Sequence, residues 1–145
     1  MLTDEYFMRQ ALAEAHQALA EGEIPIGAVV VMDNTIIGRG HNQTERLRDV
    51  TAHAEMLALT AAANFLGNKY LHDCTLYVTV EPCVMCAGAS AWAQVRQIIY
   101  GADEAKVGYR RHSPSLLHPR TQVRSGVLVA ECAALMQAFF KEKRG

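Results

Sequence analysis

Two short stretches carry residue types that can do chemistry together: Glu81-Pro82-Cys83-Val84-Met85-Cys86 and, thirty residues before Cys83, His53-Ala54-Glu55. Two thiolates three residues apart can grip one soft or borderline metal ion from the first turn of a helix, and a distant imidazole can add a third ligand. Structural zinc sites are normally closed by four protein ligands, whereas catalytic ones keep a place for water. A set of His53, Cys83 and Cys86 therefore points to hydrolytic chemistry. His53 and Glu55 would project about 200° apart on a helix of 3.6 residues per turn, so Glu55 is expected to carry protons rather than act as a fourth ligand. Two thiolates leave a zinc site formally neutral, so its water is acidified less than at a three-histidine site and a nearby base matters more. In this division of labour, water polarised at the metal loses a proton to Glu55 and attacks an electrophilic carbon. Glu55 then returns the proton to a ring nitrogen and later to a departing amine.

Each half of the pattern is weak alone. Cys-x-x-Cys also occurs in structural zinc half-sites and redox pairs, and a lone His-x-Glu arises often by chance. The joint pattern is much rarer: His-Ala-Glu at a helix start, then strand, Pro-Cys-x-x-Cys and helix. Cys74 and Cys132, in apolar surroundings, are expected to be buried free thiols.

The elements that must position these residues follow from periodicity. Thr3 or Asp4 can cap a helix through Phe7, Met8, Ala11, Leu12, Ala15, Ala18 and Leu19, stopped by Gly22. Gly27 to Met32 and Thr35 to Gly38, joined by Asp33-Asn34, predict a hairpin with Gly40-His41-Asn42 just past its end. Thr51 is the expected N-cap of a helix running to Leu66, with Gly67 as its stop and His53 and Glu55 in its first turn. Cys74 to Val80 reads as a buried strand, Pro82 as a helix start, and Cys83 to about Ala93 as a helix rich in small residues. Strands are expected at 97–101 and Val127-Leu128-Val129, and an amphipathic helix from Glu131 to Phe140. Strands alternating with helices after a hairpin predict an α/β fold, a sandwich with a mixed sheet and helices on both faces. Two helix N-termini then converge at one sheet edge, where their partial positive charge favours Cys83 and Cys86 as thiolates.

The 145 residues, 50% hydrophobic, suffice for one domain spanning 1–145 without staples. Net charge is −1, but residues 105–130 hold no Asp or Glu and carry Lys106, Arg110, Arg111, Arg120 and Arg124, leaving nine Lys and Arg elsewhere against 15 acids. One basic segment on an otherwise acidic chain fits contact with a polyanion, a solvated loop being the plain alternative. No apolar stretch reaches membrane-spanning length and the start lacks a signal-peptide pattern, so a cytoplasmic location and no membrane partner are expected.

The joint motif resembles the zinc-dependent deaminase superfamily, whose His-x-Glu and Pro-Cys-x-x-Cys signature accompanies nucleobase deamination. Within it, Glu23 to Val29, Asn42, Thr51 to Met56, Leu76 to Ala89, Glu131 to Leu135 and Phe139-Phe140 resemble the bacterial tRNA adenosine deaminases, most specifically over residues 23 to 89. The resemblance implies a three-layer α/β/α sandwich with a mixed five-stranded sheet. It implies a homodimer that converts adenosine to inosine at the wobble position of a tRNA anticodon stem-loop, with one zinc ion per subunit and no organic cofactor. On this reading His53, Cys83 and Cys86 hold zinc and Glu55 shuttles the proton. Asn42 and the Ala54 amide meet the target nucleotide, and Pro25, Ile26, Gly27 and Ala28 wall the pocket. Glu104, Lys106, Arg110, Arg111, Arg120 and Phe140 are the expected RNA contacts.

Tyr109 to Thr121 does not match the family's usual stretch, and Glu104 stands where aspartate is usual. Two alternatives are therefore carried: a deaminase of a free base or nucleoside, of guanine or cytosine type, and a zinc-stabilised RNA-binding scaffold without chemistry. A proton carrier at Glu55 beside an open metal position has no use in a scaffold.

Overall fold

The computed structural model describes residues 1–144; Gly145, the last residue of the expected domain, lies outside them. Helix α1 (Asp4–Ala20) is capped by Thr3, whose hydroxyl accepts from the Tyr6 N–H at 3.1 Å. The hairpin of β1 (Gly27–Met32) and β2 (Thr35–His41) turns through Asp33 and Asn34, both with positive φ (49° and 62°), the left-handed pair that a two-residue turn demands. There follow α2 (Ala54–Leu66), β3 (Thr75–Val80), α3 (Val84–Ala93), β4 (Gln97–Ala102), the single turn α4 (Tyr109–His112), β5 (Gln122–Ser125) and α5 (Val129–Arg144).

The five strands form one mixed sheet in the order β2-β1-β3-β4-β5. β1 is antiparallel to β2 and β3, whereas β3, β4 and β5 run parallel. Strand alternation divides the core in two. Ala28, Val30, Leu76, Val78, Ile98 and Tyr100 face α2 and α3, with Ala54, Ala58 and Ala62 packed on them. Val29, Val31, Tyr77 and Ile99 face α1 and α5 through Phe7, Met8, Leu12 and Cys132. Cys74 and Cys132 are buried free thiols; burial, named first among the causes, pushes them up to about 11 and about 12.

Helix α2 lies on β2 at backbone contact. A Cβ at Gly40 would collide with the Ala54 carbonyl, and one at Gly38 with the Ala58 carbonyl. These two glycines set how closely the first turn of α2 approaches the sheet edge, and so where His53 and Glu55 stand.

Several boundaries differ from expectation. β2 continues through Gly40 to His41, because both glycines lie under α2 rather than in a turn. Helix α2 begins at Ala54 with His53 as N-cap, since Thr51 is held in a turn by Asp49 Oδ1, which accepts its N–H at 2.8 Å and its hydroxyl at 2.7 Å. Cys83 is the N-cap of α3, so Pro82 precedes the helix. The strand expected at Val127-Leu128-Val129 is absent: Gly126 and Leu128 have φ of 87° and 55°, which breaks extended backbone, and Val129 opens α5. The strand is instead Gln122–Ser125, exposed along its length and polar enough to give no apolar signal. The turn α4 falls in the basic segment read as loop.

Candidate active site

The N-termini of α2 and α3 meet beyond the C-terminal ends of β3 and β4, the edge where open α/β sheets place their ligands. His53 Nδ1 lies 3.6 Å from Cys83 Sγ and 3.5 Å from Cys86 Sγ, and the three ligand atoms all fall within 4.8 Å of one another. For a tetrahedral zinc with bonds of about 2.3 Å to sulfur and 2.0 Å to nitrogen, the N to S edge is about 3.6 Å. The donor set and its spacing thus fit zinc. A hydrogen bond from the Cys86 thiol is the main cause pulling Cys83 down to about 4, against burial and with help from His53, while the donor Cys86 is pushed up.

Glu55, 3% exposed, is the second residue of α2 and lines the same cavity as His53 and Cys83. Burial pushes its carboxyl up to about 7, with the nearby Cys83 adding to the rise and its own backbone N–H opposing it. A carboxyl balanced near neutrality can both take and return a proton.

Asn42 follows β2, and its amide joins two tasks. Oδ1 accepts the Ala54 N–H at 2.8 Å, so Asn42 caps α2 from outside the helix, where His53 offers no side-chain cap. The Ala54 amide expected to meet a base is therefore donated to Asn42. Asn42 itself lines the cavity, with Nδ2 as its donor.

The cavity has a volume of about 680 Å³, within the range of small-ligand pockets. Of the expected wall, Ile26 lines it with its neighbour Ile24, whereas Pro25 is fully buried, the Gly27 N–H donates to Thr79 Oγ1 and Ala28 sits in the core. Alternation turns Pro25 and Gly27 away, and Ala28, on the same side as Ile26, is covered by α2. The opposite wall is Ala102 to Val107, including Glu104 and Lys106, and α5 closes it with Ala133, Met136, Gln137 and Phe140. Phe139 is buried and its neighbour Phe140 is exposed at the rim.

The expected RNA contacts separate. Arg110 is engaged by the protein, donating to the Tyr100 hydroxyl at 2.6 Å with Asp103 Oδ1 3.9 Å away, and exposed Arg111 lies beside it. Arg120 stands in another cleft with His72, Arg96 and His118, beside the start of β4 and about 20 Å from the metal ligands by strand rise. Arg124 is paired with Asp4 at 2.7 Å.

Two buried carboxylates escaped the sequence reading. Glu23 accepts the N–H groups of Glu45 (3.1 Å) and Arg46 (2.8 Å), fixing the loop after Asn42. Glu81 accepts those of Glu104 and Arg110, both at 3.1 Å. His41, expected just past the hairpin, is buried between Glu14 and Glu21 at 3.2 and 3.1 Å, tying the end of β2 to α1.

A family model, the cytidine and deoxycytidylate deaminase zinc-binding region, matches residues 1–102. The chain is 47% identical over 144 residues to a tRNA-specific adenosine deaminase of Streptococcus pyogenes serotype M18, covering 96% of this chain and 91% of that one. It is 43% identical over 149 residues to one from Bacillus subtilis, covering 99% and 92%. Among solved structures, one from a study of A-to-I editing by tRNA:A34 deaminases at the wobble position superposes with a TM-score of 0.84 at 41% identity, covering 90% of this chain and 98% of that one. A guanine deaminase from Nitrosomonas europaea superposes with a TM-score of 0.80 at 26% identity, covering 96% and 85%. The zinc-ligand geometry, the buried carboxyl beside it and these near-full-length likenesses agree: the chain belongs to the tRNA-specific adenosine deaminases of the cytidine and deoxycytidylate deaminase zinc-binding family.

Proposed function

We propose that this protein is a cytoplasmic, homodimeric zinc hydrolase that deaminates adenosine to inosine at the wobble position of a tRNA anticodon. The observation that carries the chemistry is the juxtaposition of buried Glu55 with the trio His53, Cys83 and Cys86 in one cavity. The substrate is supported by relatives, 43–47% identical over nearly the whole chain, that are tRNA-specific adenosine deaminases. The free-base alternative is not favoured: a guanine deaminase from Bacillus subtilis reaches 40% identity but covers 70% of this chain with a TM-score of 0.68, against 90% and 0.84 for the structure from the wobble-editing study.

His53, Cys83 and Cys86 would hold the zinc, which when bound would supply Lewis-acid acidification of water. Glu55 takes the first proton of the attacking water and passes it to the purine ring nitrogen as the C–O bond forms at the amino-bearing carbon, then carries the proton of the added hydroxyl to the amine as the C–N bond breaks and ammonia leaves, transfers that a carboxyl near neutrality can make in both directions. Asn42 Nδ2 donates to the substrate while its Oδ1 holds the start of α2, so base recognition and metal geometry share one side chain. Ile24, Ile26 and Val80 give the base an apolar floor, and Phe140 at the rim offers a ring for stacking. Lys106 and Arg111 are the cations best placed for backbone phosphates.

The homodimer is supported by exposed apolar side chains on the two helices that carry the site and the loop before them: Val84 and Trp92 on α3, Phe65 on α2, and Leu47 and Val50 before α2, with Trp92 85% exposed. Light scattering is expected to give twice the 15.9 kDa chain mass.

The test is a side-by-side assay of zinc-loaded protein on an anticodon stem-loop bearing a wobble adenosine and on free adenosine, cytosine, cytidine and guanine. Inosine in the stem-loop alone is the expected result; product from a free base alone would overturn the substrate and keep the mechanism.

A further inference from the structure

Glu81 directly precedes the Pro82-Cys83 turn and is only 7% exposed, yet it is not among the expected metal ligands or proton carriers. Its carboxylate is used at both oxygens. Oε1 accepts the Glu104 N–H and Oε2 the Arg110 N–H, each at 3.1 Å. These amides lie within and just after the segment 103–107, one wall of the candidate cavity. Around this link the two strands of chain are zipped together. The Tyr109 N–H donates to the Pro82 carbonyl at 2.9 Å, the Glu81 N–H donates to the Ala102 carbonyl at 2.8 Å, and Cys83 and Gly108 form an isolated antiparallel bridge. Gly108 is needed for the fit, because a Cβ there would collide with the Glu81 carboxylate.

We infer that Glu81 is a positioning residue that fixes the wall loop 103–107 onto the metal-ligand turn, so that the pocket is assembled before substrate arrives. A carboxylate is required for this rather than an amide. Both acceptors face backbone N–H groups, and a glutamine would turn an NH2 against one of them. A loop released from this tether populates its binding-competent position for only part of the time, and apparent affinity falls by that fraction. The segment carries Glu104 and Lys106, so the released state costs substrate binding more than it costs the proton transfer made by Glu55. This inference rests on the proposed RNA-deaminating reading only for its kinetic arm.

The experiment compares zinc-loaded wild type, Glu81→Gln and Gly108→Ala by metal content, by amide hydrogen exchange of Glu104 and Arg110, and by steady-state kinetics on the anticodon stem-loop. Both variants are expected to keep the metal of wild type, to lose protection at those two amides, and to raise KM about ten- to a hundredfold, the equivalent of one hydrogen bond to a charged acceptor. Their kcat should stay within about threefold of wild type, the mark of lost ground-state assembly. Glu81→Gln/Gly108→Ala should be no worse than the weaker single variant, because both break one joint. Unchanged exchange and KM in Glu81→Gln overturns the inference, and so does loss of metal in step with activity, which would assign Glu81 to the ligand turn itself. If Glu81→Gln fails to fold, Gly108→Ala carries the same readouts. A wild type inactive on the stem-loop refutes the substrate reading alone, and amide exchange then decides the role of Glu81.

Discussion

Asn42 makes a prediction in which folding and recognition come apart. Its Oδ1 accepts the N–H of Ala54, the first residue of α2, at 2.8 Å in a buried setting. Asn42→Ala strands that amide, because the His53 side chain makes no cap hydrogen bond. Loss of an N-cap acceptor costs roughly 1–2 kcal/mol, and an unsatisfied buried donor roughly 1–3 kcal/mol; the two describe one event, so about 2 kcal/mol is expected. For a chain of this length that lowers Tm by about 4–8 °C. Asn42→Asp keeps the acceptor and puts negative charge at a helix N-terminus, which is favourable by about 0.3–1 kcal/mol, but it removes the Nδ2 donor. It should therefore melt within about 4 °C of wild type and lose deamination about as severely as Asn42→Ala, a drop of a hundredfold or more for a buried recognition contact. Calorimetry and stem-loop kinetics on the three proteins provide the check. If Asn42→Asp melts as low as Asn42→Ala, the cap is not what Oδ1 does; if it turns over like wild type, Nδ2 plays no part in recognition.

Glu55→Gln should keep the metal and the fold and lose turnover by about 10²–10⁴-fold or more, as removal of a general acid and base does; metal analysis with single-turnover kinetics reads both. Arg111→Glu should weaken stem-loop binding and flatten the log–log salt dependence by about 0.7–0.9 for each phosphate that is no longer neutralised, whereas Arg110→Glu also breaks the hydrogen bond to the Tyr100 hydroxyl and should lower Tm as well. Burial would raise the Asp4 carboxyl, but hydrogen bonds from Tyr77 and Arg124 outweigh it and hold it below its ordinary 3.8. A depressed folded-state pKa gives stability that is present above about 3.8 and lost as pH falls through the folded value. The Tm deficit of Asp4→Asn should therefore be full at pH 7 and vanish in strong acid, and a pH series of melts tests this. Gly40→Ala, which drives a methyl into the Ala54 carbonyl, should lower metal occupancy and Tm together, because it lifts the first turn of α2 from the sheet.

The chemistry was the most legible part of the chain, for a local reason. His53, Glu55, Cys83 and Cys86 are reactive types at spacings that a helix start dictates, so residue identity nearly fixed the arrangement that the fold then assembled. The order of helices and strands was legible too, because α1 keeps an apolar period near four while β1 and β3 are short continuous apolar runs bounded by turn residues. What failed did so where another element decides. The edge strand β5 is polar and exists through its pairing with β4. The apolar Val127 and Leu128 pack on the α1 and α5 face while Leu128 takes a positive φ, and no local pattern distinguishes that from a strand.

The same reasoning explains why Glu23 and Glu81 were invisible. A carboxylate that binds metal or moves protons has side-chain partners, and these leave a signature in residue type. A carboxylate that accepts from backbone amides has partners present at nearly every position, so sequence can show neither that it is buried nor what it holds. Glu23 reaches Glu45 and Arg46, and Glu81 reaches Glu104 and Arg110, each more than twenty residues away. Both loops border the cavity, one through Thr44 and the other through 103–107. The residues that could hold a metal ion, with Glu55, stand on helix starts packed against the sheet, whereas two walls of the cavity are loops held by buried carboxylates. Such a design lets the walls change without disturbing the metal geometry. The segment 109–121 begins beside Arg110, whose N–H is held by Glu81, so changes in that segment reach the cavity wall without touching His53, Glu55, Cys83 or Cys86.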